Sequence, residues 1–317
     1  MSDYIKQWLD IIENMNNDNT YKLAWGRALL ELVLYASNDN LTLHFDEISR
    51  CMLKYYWNQV FFFKLKQGPS KTPVIVQLTQ ECINYYSSKK ESSVPVWFDY
   101  AESILKSDSD FYKDIIRRTS NTLKENVSWR FKHCKAQEYS IYALDLKQKT
   151  VVFTKQQVIE LKDYAFVLSQ LLNYRWAQLL ERFNTSPKIA LKVKGISDNK
   201  LRRKNLTKFR DILLSYKDED CPVDFYTGEI LKKEDISVDH VLPWSFLYSD
   251  DLWNLVLTSK SNNSSKSNSI PDEATIKRLN ERNKKLLHIV KDPSLKDALK
   301  LAVENNYVDK FYMNMKM

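Results

Sequence analysis

The chain has 317 residues and a formal charge of +8, long enough for two domains that each bury a hydrophobic core. Its four glycines, Gly26, Gly68, Gly195 and Gly228, lie far apart, which excludes glycine-rich phosphate loops and dinucleotide fingerprints, because these need several glycines within one turn. Cys51, Cys82, Cys134 and Cys221 stand 31, 52 and 87 positions apart, so no Cys-x-x-Cys zinc pair exists and four reduced thiols are expected.

The opening MSDYIKQWLD lacks the basic-then-apolar pattern of a secretory signal. Apolar stretches such as Val60 to Phe63 and Tyr164 to Leu168 fall far short of the roughly 20 residues that span a bilayer, so a cytoplasmic protein without a membrane partner is expected. After the cap-like Asn17-Asp18-Asn19, the residues Tyr21, Trp25, Ala28, Leu29, Leu32 and Ala36 recur at steps of three and four and predict a core helix. Phe45 to Lys66 and Val74 to Tyr86 are apolar and aromatic, with the turn signal Gly68-Pro69 between them, and Phe111 to Phe131 reads as a further long helix. Tyr139 to Leu144 and Thr150 to Phe153 flank the polar Lys147-Gln148-Lys149 and read as a small hairpin. A long helix follows, marked by Val158, Leu161, Ala165, Leu168, Leu172, Trp176, Leu179 and Phe183. These elements define a helical domain over 1–185 with a hairpin near 139–153, and its aromatic residues are read as core. The domain carries no helix-turn-helix, zinc-finger or RNA-recognition signature.

The net charge is concentrated rather than spread. Between Ser186 and Arg210 nine lysines and arginines face the single acid Asp198, and the rest of the chain is formally neutral. Such a stretch suits a phosphate backbone, where each neutralised phosphate releases condensed counterions, although a solvated helix face has the same composition. We read 186–198 as a linker and Asn199 to Lys217 as a basic helix, together a connecting segment over 186–218.

Residues 221–271 carry the chemistry. Ile236-Ser237-Val238-Asp239-His240 alternates as a short strand ending in an acid and an imidazole, and Asn254-Leu255-Val256-Leu257-Thr258 reads as a second strand. A polar stretch then begins a helix, so that Asp239, His240 and either Asn262 or Asn263 would share one small site. A hard divalent cation prefers a carboxylate and an amide carbonyl and keeps positions open for phosphate oxygens and water. An imidazole, which titrates near pH 6.5, can accept the proton of an attacking water.

These residues resemble the HNH, or ββα-metal, nuclease domains, most closely those of RNA-guided CRISPR effector nucleases and of bacterial restriction-type endonucleases. The resemblance is carried by Cys221, Tyr226-Thr227-Gly228, Asp239-His240-Val241-Leu242-Pro243, Asp250-Asp251, Trp253-Asn254-Leu255-Val256-Leu257, Asn263 and Lys266-Ser267-Asn268, about 50 of the 317 residues. It implies that Asp239 binds the metal, His240 is the general base, Asn254 holds the loop after the first strand and Asn263 completes the metal site. Lys266-Ser267, three positions after Asn263, selects that asparagine over Asn262, and Lys266 is expected at a phosphate. The cofactor implied is Mg²⁺ or Mn²⁺. The four-cysteine zinc knuckle of many relatives is missing, so no structural zinc is expected, and Phe225, Ile230, Leu231, Leu242, Trp244, Phe246, Leu247 and Trp253 are the candidates to hold the domain together. Cys221 is read as a packed thiol, and Asp250 and Asp251 as acids that cap backbone amides.

Beyond this core, Ala274 onward reads as a helix showing Lys277, Arg278, Arg282, Lys284 and Lys285 outward, and Leu295 to Tyr312 as a last helix. The fold class expected is therefore α+β, mostly α: a helical domain with a hairpin, then a ββα-metal HNH domain over 219–317 with C-terminal helices. The function the resemblance implies is a metal-dependent DNA endonuclease of restriction or anti-phage defence, leaving 5′-phosphate and 3′-hydroxyl ends. One active site cuts one strand, so double-strand cleavage needs a dimer or sequential nicks, and a homodimer or a defence-system partner is expected. Two other readings stay open, a nuclease subunit activated by a partner and a catalytically silent DNA-binding scaffold. Joint neutralisation of Lys200, Arg202, Arg203 and Lys204 should weaken DNA binding and reduce its salt slope by about 0.9 log units for each phosphate that is no longer neutralised. Binding measured from low to high salt checks this, and an unchanged slope returns the stretch to a solvated linker.

Overall fold

A computed structural model describes residues 1–69, 71–184, 186–194, 205–215, 221–266 and 269–316. The contacts divide the chain into two units, Met1–Asn184 with Ile189–Lys200, and Thr185–Lys188 with Leu201–Met317. The architecture is α+β and mostly helical, with three small antiparallel sheets among the described residues. No described helix is long and apolar enough to cross a membrane.

In the first unit, α1 (Asp3–Asn14) starts where the Ser2 hydroxyl accepts from the amide of Ile5, and it buries Ile5, Trp8, Ile11 and Ile12. The predicted helix after Asn19 is α2 (Tyr21–Tyr35); it buries Tyr21, Trp25, Ala28 and Leu29 of the expected stripe and also Leu23, Ala24, Leu30 and Val33, while Leu32 is half-buried and Ala36 caps the end, so the covered face is wider than the stripe and shifted from it. Next come β1 (Leu41–His44), α3 (Phe45–Trp57) with a π-helical turn at Asn58–Phe62, α4 (Val74–Lys90), α5 (Phe98–Ser107) and α6 (Ser109–Asn126). A short α7 (Ser128–Phe131) follows, so the single helix expected over 111–131 is interrupted at Val127, where φ is −127°. Then come β2 (His133–Cys134), β3 (Gln137–Glu138), β4 (Ala143–Asp145) and β5 (Thr150–Phe153).

The expected hairpin is β4 with β5, shorter than its pattern because Tyr139, Ile141 and Tyr142 pack into the core instead of joining the ladder. β1 adds to the other edge of β5, giving the order β1-β5-β4. α8 (Lys155–Glu181) begins at a capping box of Thr154 and Gln157 and buries every predicted residue from Val158 to Leu179. Within the expected linker, α9 (Ile189–Lys194) forms and packs on α8, because Ile189, Lys192 and Val193 are buried. Three thiols of this unit, Cys51, Cys82 and Cys134, are buried and unpaired.

In the second unit, α10 (Thr207–Ser215) is the described part of the expected basic helix. β6 (Ile236–His240), α11 (Trp244–Leu247), β7 (Leu255–Ser259) and α12 (Lys260–Lys266) form the strand-loop-strand-helix core. β6 and β7 pair antiparallel with Asp239 opposite Val256 and His240 opposite Leu255. α13 (Glu273–Ile289), α14 (Pro293–Glu304) and α15 (Tyr307–Lys316) follow. The last two were expected as one helix; the chain breaks at Asn305 and Asn306, and Asn306 takes a φ of 52°, a left-handed conformation asparagine tolerates. Leu242, Leu247, Trp253, Leu255, Leu279 and Leu286 form the centre of this core. Ile230 does not join it and is 69% exposed, because it lies on the outer side of a turn. Cys221 is exposed rather than packed, since it precedes that turn. Arg282 is half-buried and donates to the carbonyls of Leu252 and Trp253, whereas Arg278 stays exposed and donates to the carbonyl of Tyr226, so part of the basic face of α13 is held by the domain's own backbone.

Candidate active site

The site is assembled around a carboxylate that sequence analysis did not single out. Residues 223–230 reverse direction between bridged Val223 and Ile230, with Gly228 at a φ of +75° and its amide donating to the Asp224 carbonyl at 2.8 Å. Asp224 Oδ2 accepts from Thr258 Oγ1 at 2.8 Å, the Ser259 amide at 2.8 Å and Asn262 Nδ2 at 2.9 Å. Its Oδ1 accepts from the amides of Tyr226 at 2.8 Å and Thr227 at 3.3 Å. One buried carboxylate thereby ties the turn, the end of β7 and the start of α12 together. Burial pushes its pKa up, but the donors from Ser259, Asn262, Thr258 and Tyr226 outweigh that and hold the carboxyl below its ordinary value. The signal for it was local: an acid two positions before Tyr-Thr-Gly suits an Asx turn.

The same turn aims Tyr226 at the end of β6. Asp239 Oδ2 accepts from Tyr226 Oη at 2.6 Å and from Lys266 Nζ at 2.9 Å. Lys266 also donates to the His240 carbonyl at 2.7 Å and stands 5.4 Å from the centroid of the Tyr226 ring. Burial raises the Tyr226 pKa well above the usual phenol value, and the Asp239 charge adds to it, so the phenol is a hydrogen-bond donor at physiological pH.

His240 Nε2 lies 2.9 Å from Asp250 Oδ1, with side-chain exposures of 6% and 12%. Asp250 therefore does not cap backbone amides as its place in a turn suggested; the turn after α11 carries it back onto the imidazole. Asp251 interacts with the Ser249 hydroxyl instead of a backbone amide. A carboxylate accepts only, so the neutral imidazole carries its proton on Nε2 and keeps a lone pair on Nδ1. Nδ1 has no hydrogen-bond partner among the described residues.

Asn254 is fully buried and bonds Leu242 in both directions, Nδ2 to its carbonyl and Oδ1 from its amide, each at 2.8 Å. The Val241 amide also donates to the Asn254 carbonyl, at 2.9 Å. These bonds fix the two residues that leave β6 directly after His240. Asn262 and Asn263 separate clearly. Asn262 spends its amide on Asp224, whereas Asn263 Nδ2 donates to Ser237 Oγ at 2.7 Å and Val238 O at 3.4 Å, next to Asp239.

The donor set suits a hard divalent cation. Asp239 Oδ1 and Asn263 Oδ1 accept no hydrogen bond among the described residues, while the companion atoms Oδ2 and Nδ2 are held. No cluster of three His, Cys, Asp or Glu side chains occurs among the described residues, so a cation bound here completes its shell with water and phosphate oxygens. The basic residues Lys200, Arg202, Arg203 and Lys204 lie outside the described residues.

A turn, two antiparallel strands and a helix that present an Asp-His pair beside an asparagine define a ββα site. Residues 224–272 match the family model described as HNH endonuclease, so this part of the chain is similar to that family. No curated protein and no solved structure gives a significant match. The family match lies within the second unit and spans the turn, both strands and α12.

Asp224→Ala should lower the stability of the second unit by about 3 kcal/mol, because it strands several buried donors. Urea unfolding followed at α13 checks this. The Asp224 contribution is in force above the ordinary carboxyl value of 3.8 and fades as pH falls through the lower folded value, so wild type and variant should converge in acid.

Proposed function

We propose that the chain is a metal-dependent endonuclease that hydrolyses DNA phosphodiester bonds with Mg²⁺ or Mn²⁺ held by Asp239 and Asn263. The observation that carries this reading is the His240–Asp250 pair, which leaves Nδ1 with its lone pair, together with the Oδ1 atoms of Asp239 and Asn263, which accept no hydrogen bond among the described residues. The cation, when bound, neutralises charge on the scissile phosphate and on the departing oxygen.

The protein's own groups supply the rest. Nδ1 of His240 takes a proton from water as the water oxygen bonds to phosphorus, and the bond from phosphorus to the 3′-oxygen breaks on the opposite side. The 3′-oxygen leaves with a proton from solvent, giving 3′-hydroxyl and 5′-phosphate ends. As His240 becomes an imidazolium, Asp250 stabilises the new charge from 2.9 Å and keeps the ring aligned. Asn254 keeps the chain after His240 from shifting, and Lys266, which donates to Asp239 and to the His240 carbonyl, is the ammonium nearest to hand for a phosphate oxygen once it leaves Asp239.

Cleavage of both strands takes either two such sites, from a homodimer or a partner assembly, or sequential nicks by one, and the resemblance supports a role in restriction or anti-phage defence. Against a silent scaffold stands the site itself: a buried acid, a buried base with its own carboxylate and a partly buried lysine are costly to maintain for binding alone.

Supercoiled plasmid incubated with the protein in Mg²⁺, Mn²⁺ or EDTA should be nicked or linearised only with metal. His240→Ala should reduce cleavage by a factor of about 10² to 10⁴ with DNA binding retained, and normal cutting by that variant would sink the assignment. Asp250→Asn should lower kcat by roughly 10- to 100-fold with KM little changed, measured on the same substrate.

A further inference from the structure

Lys266 sits in an unusual place for a phosphate ligand. Its ammonium does not face solvent: the side chain is 14% exposed, Asp239 is 10% exposed, and the two are joined at 2.9 Å. It also donates to the carbonyl of His240 at 2.7 Å and lies over the Tyr226 ring. A carboxylate removed from water without a counter-charge is costly, and here that charge is supplied by the chain itself. The carboxylate so neutralised is the one charged group in the proposed metal site, because Asn263 contributes a neutral oxygen.

We propose that Lys266 is a built-in counter-ion of the metal site, which keeps Asp239 folded and neutralised in the metal-free protein and which a divalent cation must oppose in order to bind. The inference rests on the reading of Asp239 as a metal ligand. The physical reason is direct: a cation bound at Oδ1 of Asp239 meets an ammonium already held on Oδ2 of the same carboxylate, and two like charges a few ångströms apart in a poorly solvated site repel strongly. The anchoring contacts are all acceptors that the ammonium can exchange one by one. An incoming phosphate oxygen offers another acceptor, so DNA both recruits Lys266 away from Asp239 and supplies oxygens to the cation. Metal therefore binds weakly to the free protein and more tightly once a phosphate is present, which confines the active state to the DNA-bound form.

The test uses the full chain and Mn²⁺ alone, without DNA, so that no cleavage is read. Mn²⁺ affinity is measured by calorimetry and by the loss of the free-ion spin-resonance signal in the wild type, Lys266→Gln, Asp239→Asn and the double variant. Lys266→Gln should bind Mn²⁺ at least roughly tenfold more tightly than wild type, and Asp239→Asn should abolish that gain. A thermal melt supplies a second readout: Lys266→Gln should melt lower than wild type without metal, and Mn²⁺ should raise its Tm more than it raises that of the wild type. Binding to the wild type that Asp239→Asn abolishes, with Lys266→Gln no tighter, overturns the counter-ion proposal and leaves the metal-site reading standing. If neither protein shows binding that depends on Asp239, both fall.

Discussion

The second unit depends on what Asp224 does with its two carboxylate oxygens. Five donors from the 224–227 turn, from β7 and from α12 converge on it, and they come from segments that no continuous ladder joins. A domain of this size that lacks a metal-tied knuckle needs some other means of fixing a turn against a strand and a helix, and a buried anion with every lone pair occupied does so. Its effect reaches the chemistry through two routes. Tyr226 is aimed at Asp239 because its own amide is held by Asp224, and Asn263 is displayed toward β6 because Asn262, one residue earlier, is pinned. The site thus inherits its geometry from a group that need not touch the substrate.

The Asp224 anchor was not read from the sequence, whereas many of the secondary-structure elements were legible through periodicity and spacing. β6 and β7 could be read because alternation is a local property, and α8 because an apolar stripe sustained across 27 residues fits a packed helix and little else. The preference for Asn263 over Asn262 came from the family's spacing, and the geometry supplies a physical account of it through the bond from Asn262 to Asp224. What could not be read was long-range. β1 is only four residues, Leu-Thr-Leu-His, too short for its alternation to mark a strand on its own, and it pairs with β5, more than a hundred residues later. Asp250 was read from its neighbours in a turn, although its partner lies ten positions back, across a loop whose path the sequence does not state. Ile230 and Cys221 failed in the opposite way: residue type suggested burial, while position on the outside of a turn decided exposure.

The first unit shows how little an apolar core says about purpose. Trp8, Trp25, Trp57 and Trp176 are all fully buried and meet other rings mostly edge to face, so most of the aromatic content is spent on packing. One polar cluster in it is paired within itself: Arg50 bonds Glu102 through two nitrogens at 2.6 Å each and Tyr112 adds a third bond to the same carboxylate. Such a group is satisfied by its own neighbours and asks for no ligand. The candidate site lies in the other unit.

The distribution of thiols has a practical consequence. Burial pushes Cys51 and Cys82 up to about 12 and raises Cys134 as well, so all three stay protonated and shielded at neutral pH. Cys221 is the exposed one, three residues ahead of the carboxylate that organises the nuclease turn. A maleimide dye or a nitroxide added to the unmodified folded protein would therefore attach at one position. The chain comes with a spectroscopic handle beside its candidate site, and no cysteine has to be removed to use it.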